Sequence, residues 1–392
     1  MILLRITTVP ISLQLLLTGQ FRYMIENGYE VYTISAHGPE VVDVLKEGVR
    51  HIPVPFTRKI TPLHDLRCLF TLVRIIKKLK PDIIHTHTPK AGLLGMIAGW
   101  LCRVPVRMHT VAGLPLMENR GVKRSILEVT EKITYACAQR VYPNSAGLER
   151  FLIQELKANP AKVKMMGRGS SNGIDTVFFS RTPTLENQAI ALRQQHNITR
   201  NDLVFSFVGR IVKDKGIVEL VSAFKAVSVH VTEMKSKEGK ARSVFLMLVG
   251  PFEQELDPLP DDVVKFLRED KQVILTGFQR DVRPWLMASD VFVFPSYREG
   301  FPNVVMQACL LEVACIVSDI NGCNEIIRQG STGLIVPPKD IPALAKAMQS
   351  LVLDEDKRKK FSATARSFVS SNYDREYVWE EIRKEYISLR SR

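Results

Sequence analysis

Short apolar runs rich in β-branched and aromatic residues alternate with helix-like stretches along the whole chain, in two successive sets. The first set is ILLRITTV, EVYTIS, PDIIHTHT, VPVRMHTV and RVYPNS. The second is DLVFSFVG, SVFLMLVG, KQVILTG, SDVFVFP, VACIVSD and TGLIVP. Unbroken apolar runs of this length suit strands buried on both faces. Strands separated by helices pair in parallel, because a parallel neighbour needs a long crossover. The chain is therefore predicted to be α/β, divided into two domains with one set of strands each. Its 392 residues are also too many for one ordinary core. The glycine- and serine-dense stretch from Gly167 to Asp175 fits a hinge. The expected boundaries are 1–172 and 173–375. Residues 376–392 form a terminal amphipathic helix, with Tyr377, Val378, Ile382 and Tyr386 on its apolar side. Residues 228–243 (VSVHVTEMKSKEGKAR) read as a polar surface extension.

Charge divides the chain unequally. Residues 1–175 hold 24 Lys and Arg against 13 Asp and Glu, whereas the remaining 217 hold 30 against 28. A basic half points to an anionic partner. One basic cluster is Arg74, Lys77, Lys78 and Lys80, on a helix whose other face carries Leu66, Leu69, Phe70, Val73 and Ile76. The other is Arg120, Lys123 and Arg124. It lies between Leu114-Pro115-Leu116-Met117 and Ile126-Leu127, a mixture that suits an anionic membrane surface. Aromatic stacking platforms and helix-turn-helix spacing are not apparent, so nucleic acid is not an expected partner. The longest apolar stretch, Leu93 to Cys102, is far short of the ~20 residues that span a bilayer. At the start, Arg5 and Pro10 interrupt an apolar run that has no small-residue cleavage site, which reads as a core strand rather than a signal peptide. The six cysteines show no C-x-x-C pair or zinc spacing, consistent with reduced thiols in the cytoplasm.

Two segments carry chemistry. In SDVFVFPSYREGFPNVVMQACLLEVACIVSDINGCNEII, Val291 to Pro295 is a strand and Pro302 stands at a helix start. Glu299 is thereby set at a strand's carboxyl end beside the open N–H groups of a helix, where open α/β sheets hold ligands. In the second segment, the strand Leu203–Val208 runs into Gly209, Arg210, Lys213, Lys215 and Gly216 before the helical run IVELVSAFKAV. A glycine turn, clustered cations and a helix start together favour an anion.

In this order, the two segments resemble the donor site of family-4 retaining glycosyltransferases of the GT-B fold, of the type that builds capsular and O-antigen polysaccharides. The resemblance implies two Rossmann-like domains facing each other across a cleft. The first is an acceptor-binding, membrane-facing domain and the second binds the nucleotide sugar. It implies a cytoplasmic enzyme peripheral to the inner face of the membrane. The donor is a nucleotide-diphosphate sugar, with UDP favoured, and the acceptor a polyprenyl-diphosphate-linked or other saccharide. No metal or other cofactor is expected. Arg210 and Lys215 would hold the diphosphate and neutralise charge on the leaving group, while Glu299 would hold sugar hydroxyls. Gly209, Gly277, Phe278, Phe301, Pro302, Asn303, Val304, Gln307 and Glu325 would complete the donor site. Thr8, Gln20, His85, His87, Lys90, His109 and Gly113 fall in segments resembling the acceptor loops, with Lys90 a candidate for an acceptor phosphate. Arg120, Lys123 and Arg124 would face the membrane.

Two positions depart from the family pattern. Its second glutamate is Gln307 here, and the histidine of its T-x-H-G loop is Ala112. The literal D-x-D at Asp354–Asp356 lies in a charged helical stretch and reads as surface. No closely spaced pair of carboxylates of the retaining-glycosidase kind is recognised. Front-face attack assisted by the leaving phosphate is the mechanism the resemblance implies. Two alternatives stay open: a nucleotide-sugar 2-epimerase of the same fold, and a non-catalytic anion-binding protein.

Overall fold

The computed structural model describes all residues except 115, 117–120, 239–242, 254, 256 and 392, and the side chains of 123 and 234–238. The chain forms two compact units, Met1–Gly173 with Arg375–Arg392, and Ile174–Asp374. The first unit begins with β1 (Ile2–Ile6), α1 (Pro10–Leu17), α2 (Gln20–Glu26), β2 (Glu30–Ser35), α3 (Val41–Leu45) and β3 (Arg50–Pro53). It continues with α4 (Pro62–Leu79), β4 (Ile83–Thr86), α5 (Pro89–Leu101), β5 (Val106–Val111), α6 (Gly121–Cys137), β6 (Arg140–Pro143) and α7 (Ala146–Gln154). Its sheet has the order β3-β2-β1-β4-β5-β6, parallel throughout.

The second unit opens with α8 (Pro183–Gln195), β7 (Leu203–Val208), a 3-10 turn at Lys213–Lys215, α9 (Ile217–Glu238) and β8 (Val244–Val249). There follow α10 (Asp261–Glu269), β9 (Val273–Gly277), α11 (Arg283–Met287), β10 (Val291–Phe294) and α12 (Asn303–Leu310). The unit ends with β11 (Ala314–Ser318), α13 (Cys323–Ile326), β12 (Gly333–Val336), α14 (Ile341–Leu353) and α15 (Glu355–Tyr373). The last helix, α16 (Arg375–Arg390), is part of the first unit. The second sheet, β12-β11-β10-β7-β8-β9, is the same doubly wound order repeated.

The strands are apolar on both faces because both faces are covered. Phe205, Phe207, Leu246 and Leu248 enter one core of the second unit, while the alternate residues Val204, Met247 and Val249 enter another. Stacked rings of Phe207, Phe292 and Phe294 fill the larger core, with centroids 5.8–5.9 Å apart. In the first unit, Val378, Ile382, Tyr386 and Leu389 of α16 pack with Leu3, Leu13, Phe21 and Met24.

Two sequence expectations need correction. The first sheet has six strands, not five. The missed strand, β3, lies at the sheet edge and ends at Pro53, and edge strands tolerate proline without a long apolar run. The supposed extension at 228–243 continues α9 as far as Glu238, because Val227 and Val231, one turn apart, are buried in the core.

In both sheets the order in which parallel strands are added reverses, in the first between β1 and β4 and in the second between β7 and β10. Ligands of such sheets bind outside the carboxyl ends of the strands at these reversals.

Candidate active site

At the reversal of the second sheet, β7 delivers Gly209 and Arg210, and β10 delivers the loop Pro295–Glu299. Gly216 joins the two. Its φ of +73° is one that side-chain-bearing residues rarely adopt, and a Cβ there would lie 2.1 Å from the Pro295 carbonyl oxygen. Any side chain would push the 213–215 turn off the β10 loop. The Lys215 ammonium donates to Glu299 Oε1, and Ser296 Oγ, fully buried, donates to the same oxygen at 3.1 Å. Lys215 and Glu299 are mostly enclosed, with side-chain exposures of 16% and 19%. The pair thus presents a positive and a negative group side by side, each with capacity left for a ligand.

The cations around this pair are held by acids. Arg210 Nη1 donates to Glu253 at 3.0 Å, and Arg298 Nη2 donates to Asp214 at 3.0 Å. The Tyr297 N–H donates to the Asp214 carbonyl at 2.9 Å, tying the β10 loop to the 213–215 turn. The Tyr297 hydroxyl donates to the Glu219 carboxylate at 2.7 Å, and burial together with this bond pushes its pKa up. Neither Asp214 nor Glu253 was recognisable in the sequence as a partner of these arginines. Ser296 and Tyr297 carried the only usable signal, lying beside Glu299 in the motif.

The other residues expected at the donor site lie on several elements of the second unit. Pro302 precedes α12 as its cap, exposed Asn303 and half-buried Val304 open its first turn, and Gln307 is half-buried one turn on. Phe301 packs on Tyr373, with ring centroids 5.2 Å apart. Gly322 approaches the same loop so closely that a Cβ would be 2.8 Å from the Gly300 carbonyl oxygen. The Glu325 carboxylate turns back to accept from the Gly322 N–H at 3.5 Å. Gly277 ends β9 at the opposite sheet edge, followed by Phe278, which is 72% exposed. Asp354 of the D-x-D caps α15, accepting from the Lys357 N–H at 2.8 Å. Among the described residues no group of three or more His, Cys, Asp or Glu is placed to hold a metal.

In the first unit the structure separates the acceptor-side candidates. Thr8 and Thr88 stand at the carboxyl ends of β1 and β4, their hydroxyls 2.7 Å apart. His85 is spent on both sides, with Nδ1 2.7 Å from Tyr386 OH and Nε2 2.7 Å from Thr110 Oγ1. It has no ring nitrogen left for an acceptor, and burial pushes its pKa well down. His109 is likewise structural. Its Nδ1 meets Thr86 Oγ1 at 2.8 Å, and its ring fills the space where a Cβ on Gly92 would be 2.4 Å away. Burial lowers its pKa to about 4. His87 is buried beside His85, with ring centroids 4.3 Å apart and planes tilted by 33°, and among the described residues neither of its ring nitrogens has a hydrogen-bond partner. Gln20 accepts from the fully buried Arg5 and donates to Asn172 at 2.9 Å.

Lys90 also departs from expectation. Its ammonium donates to Asp65 at 2.7 Å, to Thr57 Oγ1 at 3.0 Å and to the Lys59 carbonyl, so it ties the loop before α4 to the first turn of that helix. Gly113 has open space where a Cβ would stand. Arg124 is half-buried on α6, whereas Arg120 and the Lys123 side chain lie outside the described residues. Among the described residues no helix is long and apolar enough to cross a membrane.

Comparison with known proteins identifies the class. Residues 188–368 match the model of the family "Glycosyl transferases group 1", and residues 17–169 match "Glycosyl transferase 4-like domain". The chain is 32% identical over 371 residues to the capsular polysaccharide biosynthesis glycosyltransferase CapM of Staphylococcus aureus, covering 95% of this chain and 93% of that one. It is 29% identical to the Escherichia coli UDP-Gal:alpha-D-GlcNAc-diphosphoundecaprenol alpha-1,3-galactosyltransferase, covering 86% and 83%. Among solved structures, Anabaena HepE in complex with UDP and glucose superposes with a TM-score of 0.78 at 18% identity, covering 99% of this chain and 100% of that one. The chain belongs to the group 1 glycosyl transferases, with a glycosyl transferase 4-like first half and the GT-B fold.

Proposed function

We propose that the protein is a retaining glycosyltransferase of surface polysaccharide biosynthesis. Its donor is a UDP-sugar and its acceptor a lipid-linked saccharide diphosphate. The observation that carries this reading is the enclosed Lys215–Glu299 pair at the reversal of the second sheet. Lys215 and Arg210 take the donor diphosphate, and Glu299 accepts from the sugar hydroxyls. The acceptor oxygen bonds to the anomeric carbon as the bond from that carbon to the diphosphate oxygen breaks. The acceptor proton passes to the leaving phosphate on the same face, while the two cations neutralise the charge that develops there. Gln307 donates and accepts as a neutral amide at the nucleotide ribose.

The capsular relative supports the pathway class, and the diphosphoundecaprenol named for the E. coli relative supports the acceptor. UDP is favoured by the UDP-Gal in that same name. The reading also sets the protein on the inner face of the membrane that carries such an acceptor. The test supplies labelled UDP-sugars and GDP-sugars in turn with N-acetylglucosaminyl-diphosphoundecaprenol. Label from a UDP-sugar should enter the lipid phase, with the product's anomeric coupling by NMR matching the donor's. Label only from a GDP-sugar would overturn the donor, an inverted product would overturn retention, and epimerised free donor would replace transfer with epimerisation.

A further inference from the structure

The first unit contains a groove of about 490 Å³, within the range of small-molecule sites (about 300–1,000 Å³). Thr8 and Thr88 line it, so it reaches the carboxyl edge of the first sheet at its reversal. Most of the remaining wall is apolar, formed by Val9, Ile60, Leu93, Leu94, Ile126 and Leu127, with Ser12 and Thr130 as small polar breaks. Apolar surface continues outside it, with Ile60 59% and Ile126 46% exposed, and Leu63 and Val122 exposed further still on α4 and α6. Lys90 and Asp65 lie in the wall, but they cancel each other. Arg58 also lines the groove, and among the described residues it has no ion pair. A polar inner edge, apolar walls and one uncompensated cation specify an occupant with an anionic head on an apolar chain.

We infer that this groove binds the isoprenoid diphosphate part of the lipid-linked acceptor. The first isoprene units lie against Val9, Leu93, Leu94 and Leu127, and the diphosphate lies among Thr8, Thr88 and Arg58. This inference rests on the proposed lipid-linked acceptor and adds a protein site that reads the lipid itself. A second copy of the chain is a poorer occupant, because it would bring two strongly basic halves together, each with 24 cationic and 13 anionic residues in positions 1–175. The groove differs from a flat membrane-facing patch in that it is recessed and ends on polar groups. Chain length and head charge should therefore matter separately.

The test measures binding of farnesyl diphosphate, farnesol and inorganic diphosphate to the full chain with UDP saturating, which blocks diphosphate binding in the second unit. Farnesyl diphosphate should bind at least tenfold tighter than either fragment. Leu93→Trp, which fills the groove, should weaken farnesyl diphosphate at least tenfold and leave UDP affinity and melting temperature unchanged. Arg58→Gln should weaken farnesyl diphosphate but not farnesol. Equal binding of inorganic and farnesyl diphosphate would overturn the inference, as would an unaffected Leu93→Trp variant. A dimer in sedimentation that Leu93→Trp dissociates, with ligand binding unchanged, would assign the groove to a second copy. Because the assay needs no donor turnover, its outcome is independent of the reaction. Failed sugar transfer with selective farnesyl diphosphate binding would remove the proposed reaction and keep the groove.

Discussion

Glu299 and Lys215 are each other's nearest charged partner, so removing either changes what the other can do. In the proposed roles, Glu299→Ala takes away the acceptor for the sugar hydroxyls but leaves Lys215 for the diphosphate. Transfer should fall by about 10²-fold, or roughly 2.7 kcal/mol of barrier. UDP affinity should stay within a few-fold, because the nucleotide does not need the carboxylate. Lys215→Ala should instead weaken UDP binding by about 1–3 kcal/mol, the range for a hydrogen bond to a charged group and the cost of its loss. Calorimetric titration of UDP and initial rates on both variants separate the two roles. Equal UDP affinity in Lys215→Ala and parent would remove the lysine from the diphosphate site. Undiminished transfer by Glu299→Ala would remove the glutamate from the sugar site.

Among the elements, α6 holds an acid that sequence reading passed over. Glu131 is buried, and desolvation raises its pKa to about 7. The folded chain therefore holds this proton more tightly than the unfolded chain, whose glutamate titrates near 4.3. Below about pH 4 both states are protonated and the group costs nothing. As pH rises towards 7 the unfolded state alone gains the ionised form, and stability falls by about 3 kcal/mol at 1.36 kcal/mol per pKa unit. Glu131→Gln should raise the denaturation midpoint above pH 7 and leave it near the parent's at pH 4.5. An equal shift at both pH values would show that charge burial is not the cause. The residue escaped notice because a glutamate on an amphipathic helix looks the same whether it faces solvent or a neighbour. Elements buried on both sides were far easier to read: β7, β8, β10 and β11 are continuous apolar runs that only a covered parallel sheet explains. Strand β3 was not legible because an edge strand needs neither a long apolar run nor freedom from proline. The placing of Glu299, Arg210 and Lys215 at the reversal of the second sheet was legible because they sit on loops whose strands and helices are strongly patterned. The fates of His85, His109 and Lys90 were not, because their partners Tyr386, Thr86 and Asp65 are 301, 23 and 25 positions away.

At the scale of the whole molecule, the chain folds two copies of one sheet order and loads nearly all of its excess positive charge onto one of them. Charge does not determine the fold, since the nearly neutral half builds the same topology. It acts instead on what the molecule approaches. A basic half carrying exposed Leu63, Phe70, Val122 and Val129 combines attraction at long range with apolar contact at short range. The full chain should therefore sediment with vesicles containing anionic lipid and much less with neutral ones. Raising salt from about 0.1 M to 1 M shortens the screening length from about 10 Å to 3 Å and should release most of the bound protein. Lys123→Gln with Arg124→Gln should weaken binding at low salt by about 2 kcal/mol, at roughly 1 kcal/mol per cation near the surface. If both charges merely face solvent, the double variant will bind like the parent at every salt concentration. If binding survives 1 M salt undiminished, apolar contact alone holds the protein to the bilayer, and the charge asymmetry must serve an anionic acceptor instead.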